Sequence, residues 1–146
     1  MNNDNLASLH TAIIDAREGY GKAIEKAEDP SVLERLRAVD GVHEAAHADI
    51  HRMLASHGEK AGDDGSLMGS VHKAVVTARS AILGLDDASL DSFASGEENN
   101  LKAYDEAIGE MTDPAERAVL LRHRDALASE VSKLERQAES AGTTII

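Results

Sequence analysis

The longest regular hydrophobic seam runs Leu6, Leu9, Ile13, Ala16, Tyr20, Ala23 and Ala27, in steps that alternate three and four residues. This spacing gathers apolar side chains on one stripe of a helix packed nearly parallel to its neighbours. It predicts a first helix over 5–28, stopped at Asp29-Pro30. A second follows at once over 31–57, where Val32, Leu36, Val39, Ala46, Ile50, Met53 and Leu54 share a face. Proline disfavours helix for its predecessor but is well tolerated in a first turn. So short a connection makes the two helices antiparallel neighbours.

Gly58 opens a polar break, after which Ser66 can cap a shorter helix over 66–84 with the seam Met68, Val71, Val75, Ala78 and Ile82. Asp86 or Asp87 is expected to cap the next, to about residue 110, with the seam Leu90, Phe93, Glu97, Leu101, Tyr104, Ile108 and Met111. The last is the best marked. Asp113-Pro114-Ala115-Glu116 sets an acidic N-cap, a first-turn proline and an N3 glutamate in capping-box-like order. Its seam continues through Leu120, His123, Leu127, Val131, Leu134 and Ala138.

No segment alternates apolar and polar residues long enough for a strand. The expected class is all-α: a ferritin-like four-helix bundle with an additional shorter helix in the long crossover over 58–87. That shorter helix, about 19 residues at ~1.5 Å each, reaches nearly 30 Å, enough to travel the bundle's length. The long helices on either side of it would then run parallel. Residues 1–140 are expected to form a single domain, with 141–146 a flexible tail.

Composition narrows the partners. The chain of 146 residues is 42% hydrophobic but only 2% aromatic, so its core must come from aliphatic side chains that let helices approach closely. A net charge of −12 leaves no basic footprint for a phosphate backbone and disfavours anionic lipid surfaces. The absence of cysteine excludes disulfides, thiolate metal sites and thiol catalysis. No signal-like start and no apolar run near the roughly 20 residues of a membrane span is present, so the expected compartment is the cytoplasm. The partner class expected is a second copy of the chain, a homo-oligomer, with neither nucleic acid nor membrane; the identity of any small-molecule ligand is left open.

The candidate chemistry is polar residues on apolar seams. His43 falls at the centre of the second helix's apolar arc, Asp40 and His47 on its shoulder and Glu44 just outside. Glu44 and His47 have the E-x-x-H spacing with which di-iron bundles present carboxylate and imidazole to one point across the bundle axis. Asp40 and His43 also stand three apart, and His43, His47 and His51 form an i, i+4 ladder. Glu97 and His123 sit on their own seams. Counting from the turns places His43, Glu97 and His123 within about two helical turns of one another. Against a di-iron centre, the first helix offers Ala16 and Tyr20 at that level, with Asp15 and Glu18 pointing away. The last helix has no E-x-x-H.

The candidate metal ligands are therefore Glu44, His47, Glu97, His43 and His123, with iron or zinc as the candidate cofactor. The competing reading makes the inward histidines core residues hydrogen-bonded to Glu97, Asp40 or Tyr20, a polar network that selects one helix register. A third assigns proton transfer to His–carboxylate pairs. His10, His57 and His72 are expected at the surface or at helix ends. With no phosphate loop, nucleophile elbow or triad spacing, no catalytic or cofactor-binding residue is assigned.

Several short stretches carry a family resemblance: Asp15 followed by Gly19-Tyr20, the 58–66 loop with Gly58 and Gly65-Ser66, and Gly96-Glu97-Glu98 followed by Leu101-Lys102-Ala103-Tyr104. The last is the most specific. Over roughly 6–136 the chain resembles a bacterial ferritin-like four-helix-bundle family classed as a domain of unknown function. The resemblance implies a ferritin-like fold and a link with stress responses for some members, and brings no activity with it. Glu97 matches the family's acidic position; His43 and His123 stand where the family often has Arg or Gln. The expected function is a binding or structural role, possession of a metal site in the bundle core being the alternative, as a metal-binding or di-iron carboxylate oxidoreductase.

Overall fold

The computed structural model describes residues 4–58 and 89–143, with side chains through Ser140. Four helices make up the described residues: α1 (Asp4–Lys26), α2 (Pro30–Ser56), α3 (Leu90–Glu110) and α4 (Pro114–Thr143). The helix expected over 66–84 and the caps expected at Asp86 and Asp87 lie outside the described residues. So do residues 144–146 of the expected tail and the side chains of 141–143.

The helix boundaries follow from their capping chemistry. Asp29 is extended (φ −75°, ψ 121°), and its side chain accepts from the Ser31 amide at 2.9 Å while Pro30 occupies the first turn. Asp29's hydrogen bonds from Ser31 hold its carboxyl below the usual range. The extended residue before proline also ends α1 at Lys26, two residues short of the expected 28. Gly58 closes α2 with φ +80°, where its amide bonds the Ala55 carbonyl at 3.1 Å; only glycine adopts that conformation without strain. Asp113 caps α4 as its spacing predicts, accepting from the amides of Ala115 at 2.9 Å and Glu116 at 3.1 Å.

α1 packs against α2 and α3, and α4 against α2 and α3, leaving α2 and α3 on one diagonal and α1 and α4 on the other. Side-chain bonds fix the directions. Asn5 near the start of α1 reaches the Glu106 carbonyl near the end of α3, so these two are antiparallel. Arg35 near the start of α2 bonds Glu130 at 3.1 Å and Gln137 at 3.2 Å on α4, whereas His57 at its end bonds Glu116 at 2.8 Å. α2 and α4 are antiparallel too. With each short hairpin reversing direction, α2 and α3 run the same way.

The core is aliphatic. Leu9, Ile13, Leu36, Ile50, Leu120, Leu127 and Leu134 are fully buried along the bundle axis. Each such side chain contributes about 1.5–3 kcal/mol relative to exposure. Every position assigned to the α2 face is buried, His43 among them. α3 is turned slightly from its expected seam: Ala94 and Ala107 are buried, and Phe93 and Leu101 only partly so. The small residues let α3 sit close to its neighbours, and the displaced Phe93 ring stacks on Tyr20 at 5.3 Å between centroids. The expectation for His10 is overturned as well. It is 3% exposed, turned into the α1–α2 interface one position beyond Leu9. His57, by contrast, stands at a helix end, as the C-cap of α2; His72 lies outside the described residues.

Candidate functional site

Two polar layers lie inside this apolar frame. The first joins three helices. Tyr20 on α1, His43 on α2 and Glu97 on α3 each occupy a central seam position, and all three are buried. Oε2 of Glu97 accepts from Nε2 of His43 at 2.6 Å and from the Tyr20 hydroxyl at 2.9 Å. Oε1 accepts from the side-chain amide of Asn100, one turn further along α3. Both carboxylate oxygens are therefore occupied by protein donors. A buried carboxylate without such donors would be strongly disfavoured in its charged form.

The tautomer of His43 follows from the same contacts. Its Nδ1 is buried and has no hydrogen-bond partner among the described residues. A carboxylate can only accept, so His43 carries a proton on Nε2 and donates it to Glu97. Burial, and after it the negative charge of Glu97, pushes the Tyr20 hydroxyl well above its usual range, so Tyr20 remains a donor. Tyr104 is pushed upward by the same two causes in the same order. Burial also raises the Asp40 carboxyl, opposed by the nearby charge of Arg17.

The second layer lies between α1 and α2. His10, His47 and His51 each bring one ring nitrogen to within 4.8 Å of the others. The His10 ring stacks on His47 at 5.0 Å between centroids and lies 5.6 Å from His51. His47 and His51 are one turn apart on a single face of α2. Arg17 Nη1, on α1, donates to Nδ1 of His47 at 3.4 Å.

The five residues expected as metal ligands are distributed over both layers and beyond. His43 and Glu97 bond to each other, His47 belongs to the second layer, and Glu44 is exposed on the helix surface. His123 donates to Asp49 Oδ2 at 2.7 Å, and Asp49 also accepts from Arg52. His123 thus meets α2 six residues beyond His43, which is about 9 Å along the axis. Sequence reasoning missed His10, although a signal was there. His10 precedes Lys26 by sixteen residues, and His47 follows Pro30 by seventeen. The short hairpin therefore sets them at nearly the same height.

A family model described as a domain of unknown function (DUF2383) covers residues 1–110. No curated protein and no solved structure matches the chain. No helix among the described residues is long and apolar enough to cross a membrane.

Proposed function

The chain belongs to the family described as a domain of unknown function (DUF2383), and from that membership we propose that it is a ferritin-like helical bundle with a binding or structural role in a stress response. The ferritin-like assignment draws support from the helix directions, with α2 and α3 parallel on one diagonal. The link to stress rests on the family resemblance. The observation that carries the non-catalytic reading is the occupied state of Glu97. Among the described residues Glu97 is the buried carboxylate, and both of its oxygens already accept from protein donors, His43, Tyr20 and Asn100.

The residues around Glu97 do not fit a di-iron carboxylate centre. Such a centre uses four carboxylates and two imidazoles from four helices. Here α1 supplies Tyr20 at that level and α4 supplies no E-x-x-H pair. The network instead fixes the heights of α1, α2 and α3 relative to one another, because sliding any of the three by a turn would strand a buried donor or the carboxylate. The test is aerobic titration of the chain, purified without a histidine tag, with Fe²⁺. The expected result is no Glu97-dependent ferric signal. Uptake of two irons per chain, lost in Glu97→Leu with helical content retained, would overturn the reading.

A second reading, a metal-binding bundle, is favoured by one observation that does not involve Glu97: the place of His47 beside His10 and His51.

A further inference from the structure

We infer that His10, His47 and His51 form a mononuclear site for a late first-row divalent transition ion, Zn²⁺ or Cu²⁺, clasped between α1 and α2. This goes beyond the structural role assigned to the Glu97 layer and does not depend on it. The donor set is three imidazoles with no thiolate, which suits Zn²⁺, Cu²⁺ and Ni²⁺ and is poorly matched to Mg²⁺ or Ca²⁺, whose ligands are oxygens. Two of the three stand at i and i+4 on one helix face, a spacing that directs two rings toward a shared point. The third comes from the neighbouring helix at the matching height.

The geometry is close to what an ion requires. Zn–N bonds of about 2.0–2.1 Å in a tetrahedron put ligand nitrogens about 3.3 Å apart. The present nitrogens lie within 4.8 Å of one another. Closing that gap needs movements of about 1.5 Å at most, within reach of side-chain torsions in His47 and His51, which are only partly buried. His10, locked in the α1–α2 interface, supplies the fixed point. Three protein nitrogens leave a fourth position for water.

Arg17 makes the inference sharper. It donates to His47 Nδ1. An ion held at Nδ1 would take the lone pair that Arg17 uses. An ion held at Nε2 would require a proton on Nδ1, facing a guanidinium that can only donate. In either case the ion and the Arg17–His47 contact exclude each other. The nearby Asp40 carboxylate, already attracted to Arg17, is where the guanidinium would turn. Removing Arg17 should accordingly tighten binding, an effect not expected of an adventitious surface site.

The experiment uses the full chain without a histidine tag, stripped with EDTA, and titrates it with Zn²⁺ by calorimetry and with Co²⁺ by visible absorption. One ion per chain and a tetrahedral Co²⁺ spectrum are expected. His47→Gln and His51→Gln should each weaken binding by roughly a hundredfold or more, with helical content unchanged. Glu44→Gln and His123→Gln should leave affinity within about threefold, and Arg17→Gln should strengthen it by about threefold to tenfold. Affinity should fall as pH drops from about 7.5 to 5.5, because protons compete for the same nitrogens. Should a histidine variant fail to fold, imidazole resonances of the unaltered chain decide: Zn²⁺ should shift those of His10, His47 and His51 together. Failure to bind one equivalent, undiminished affinity in His47→Gln/His51→Gln, or zinc shifts confined to other histidines would overturn the assignment. None of these results depends on Glu97, so the two proposals stand or fall separately.

Discussion

Replacing Glu97 with leucine removes the one acceptor shared by two fully buried donors. The His43 Nε2–H and the Tyr20 hydroxyl, 0% and 4% exposed by residue, would lose their partner in a region closed to water. Each stranded donor costs about 1–3 kcal/mol, so the pair sets a gross penalty of about 2–6 kcal/mol. Relief from burying a carboxylate offsets part of this, and a net destabilisation of about 2–4 kcal/mol is expected. Tyr20→Phe alone should cost about 1–2 kcal/mol, because the bond it removes goes to a charged acceptor. Combined with Glu97→Leu, however, Tyr20→Phe removes a stranded group and should be neutral or stabilising. Adding His43→Leu should bring the triple variant to within about 1 kcal/mol of the original chain, or above it, as happens when a whole buried polar set gives way to apolar residues. Urea unfolding followed by far-ultraviolet circular dichroism measures each corner of the cycle. The expected coupling between positions 20 and 97 is about 1.5–3 kcal/mol. Additive changes, with coupling under about 0.5 kcal/mol, would show that the three residues do not act as one unit and would refute the argument.

Other expectations test the frame around that layer. Ile13→Ala, at a position with 0% exposure, should destabilise by about 2–5 kcal/mol in the same assay, and a change within about 0.5 kcal/mol would be incompatible with its place in the core. Asp113→Ala should cost about 0.5–2 kcal/mol by freeing the amides of Ala115 and Glu116, and Asp113→Asn should restore most of that loss. Asp40 has its carboxyl raised by burial, so its ionisation weakens the fold as pH climbs from about 4, the unfolded value, through the higher folded one. Asp40→Asn should therefore be more stable than the original chain at pH 7 and lose that advantage below about pH 4; a difference independent of pH would contradict the sign.

Much of the fold was legible because a helical seam states both the element and the face it buries. On α2 all of the positions picked from spacing are buried. Asp113-Pro114 and Asp29-Pro30 marked their boundaries through capping chemistry that acts locally. The meeting of His43 and Glu97 was also within reach, since turn-to-residue counting gives height along a helix. That counting resolves only about two turns. It placed His123 within about two turns of the pair, and the side chain meets Asp49, about 9 Å along the axis from His43. Of the histidine cluster, His47 and His51 were read on one ladder, and His10 escaped for a different reason. His10 and His47 sit on the shoulders of their seams, where helix periodicity alone treats a polar residue as solvated. Only the register between α1 and α2 turns two such shoulders into a shared interior face. The rotation of α3 was equally unreadable, because Ala94 and Phe93 are both apolar and the choice between them depends on the ring of Tyr20 across the interface.

Glu97 is held by protein donors, and His43 gives its Nε2 proton to the carboxylate. Long-range nitrogen–proton correlation of the histidine rings reads that state directly. The expected spectrum assigns His43 the Nε2–H tautomer, with a strongly downfield ring proton that exchanges slowly with water and moves upfield in Glu97→Gln. A His43 ring protonated at Nδ1 instead, or a ring proton that exchanges freely and ignores the change at Glu97, would contradict the account.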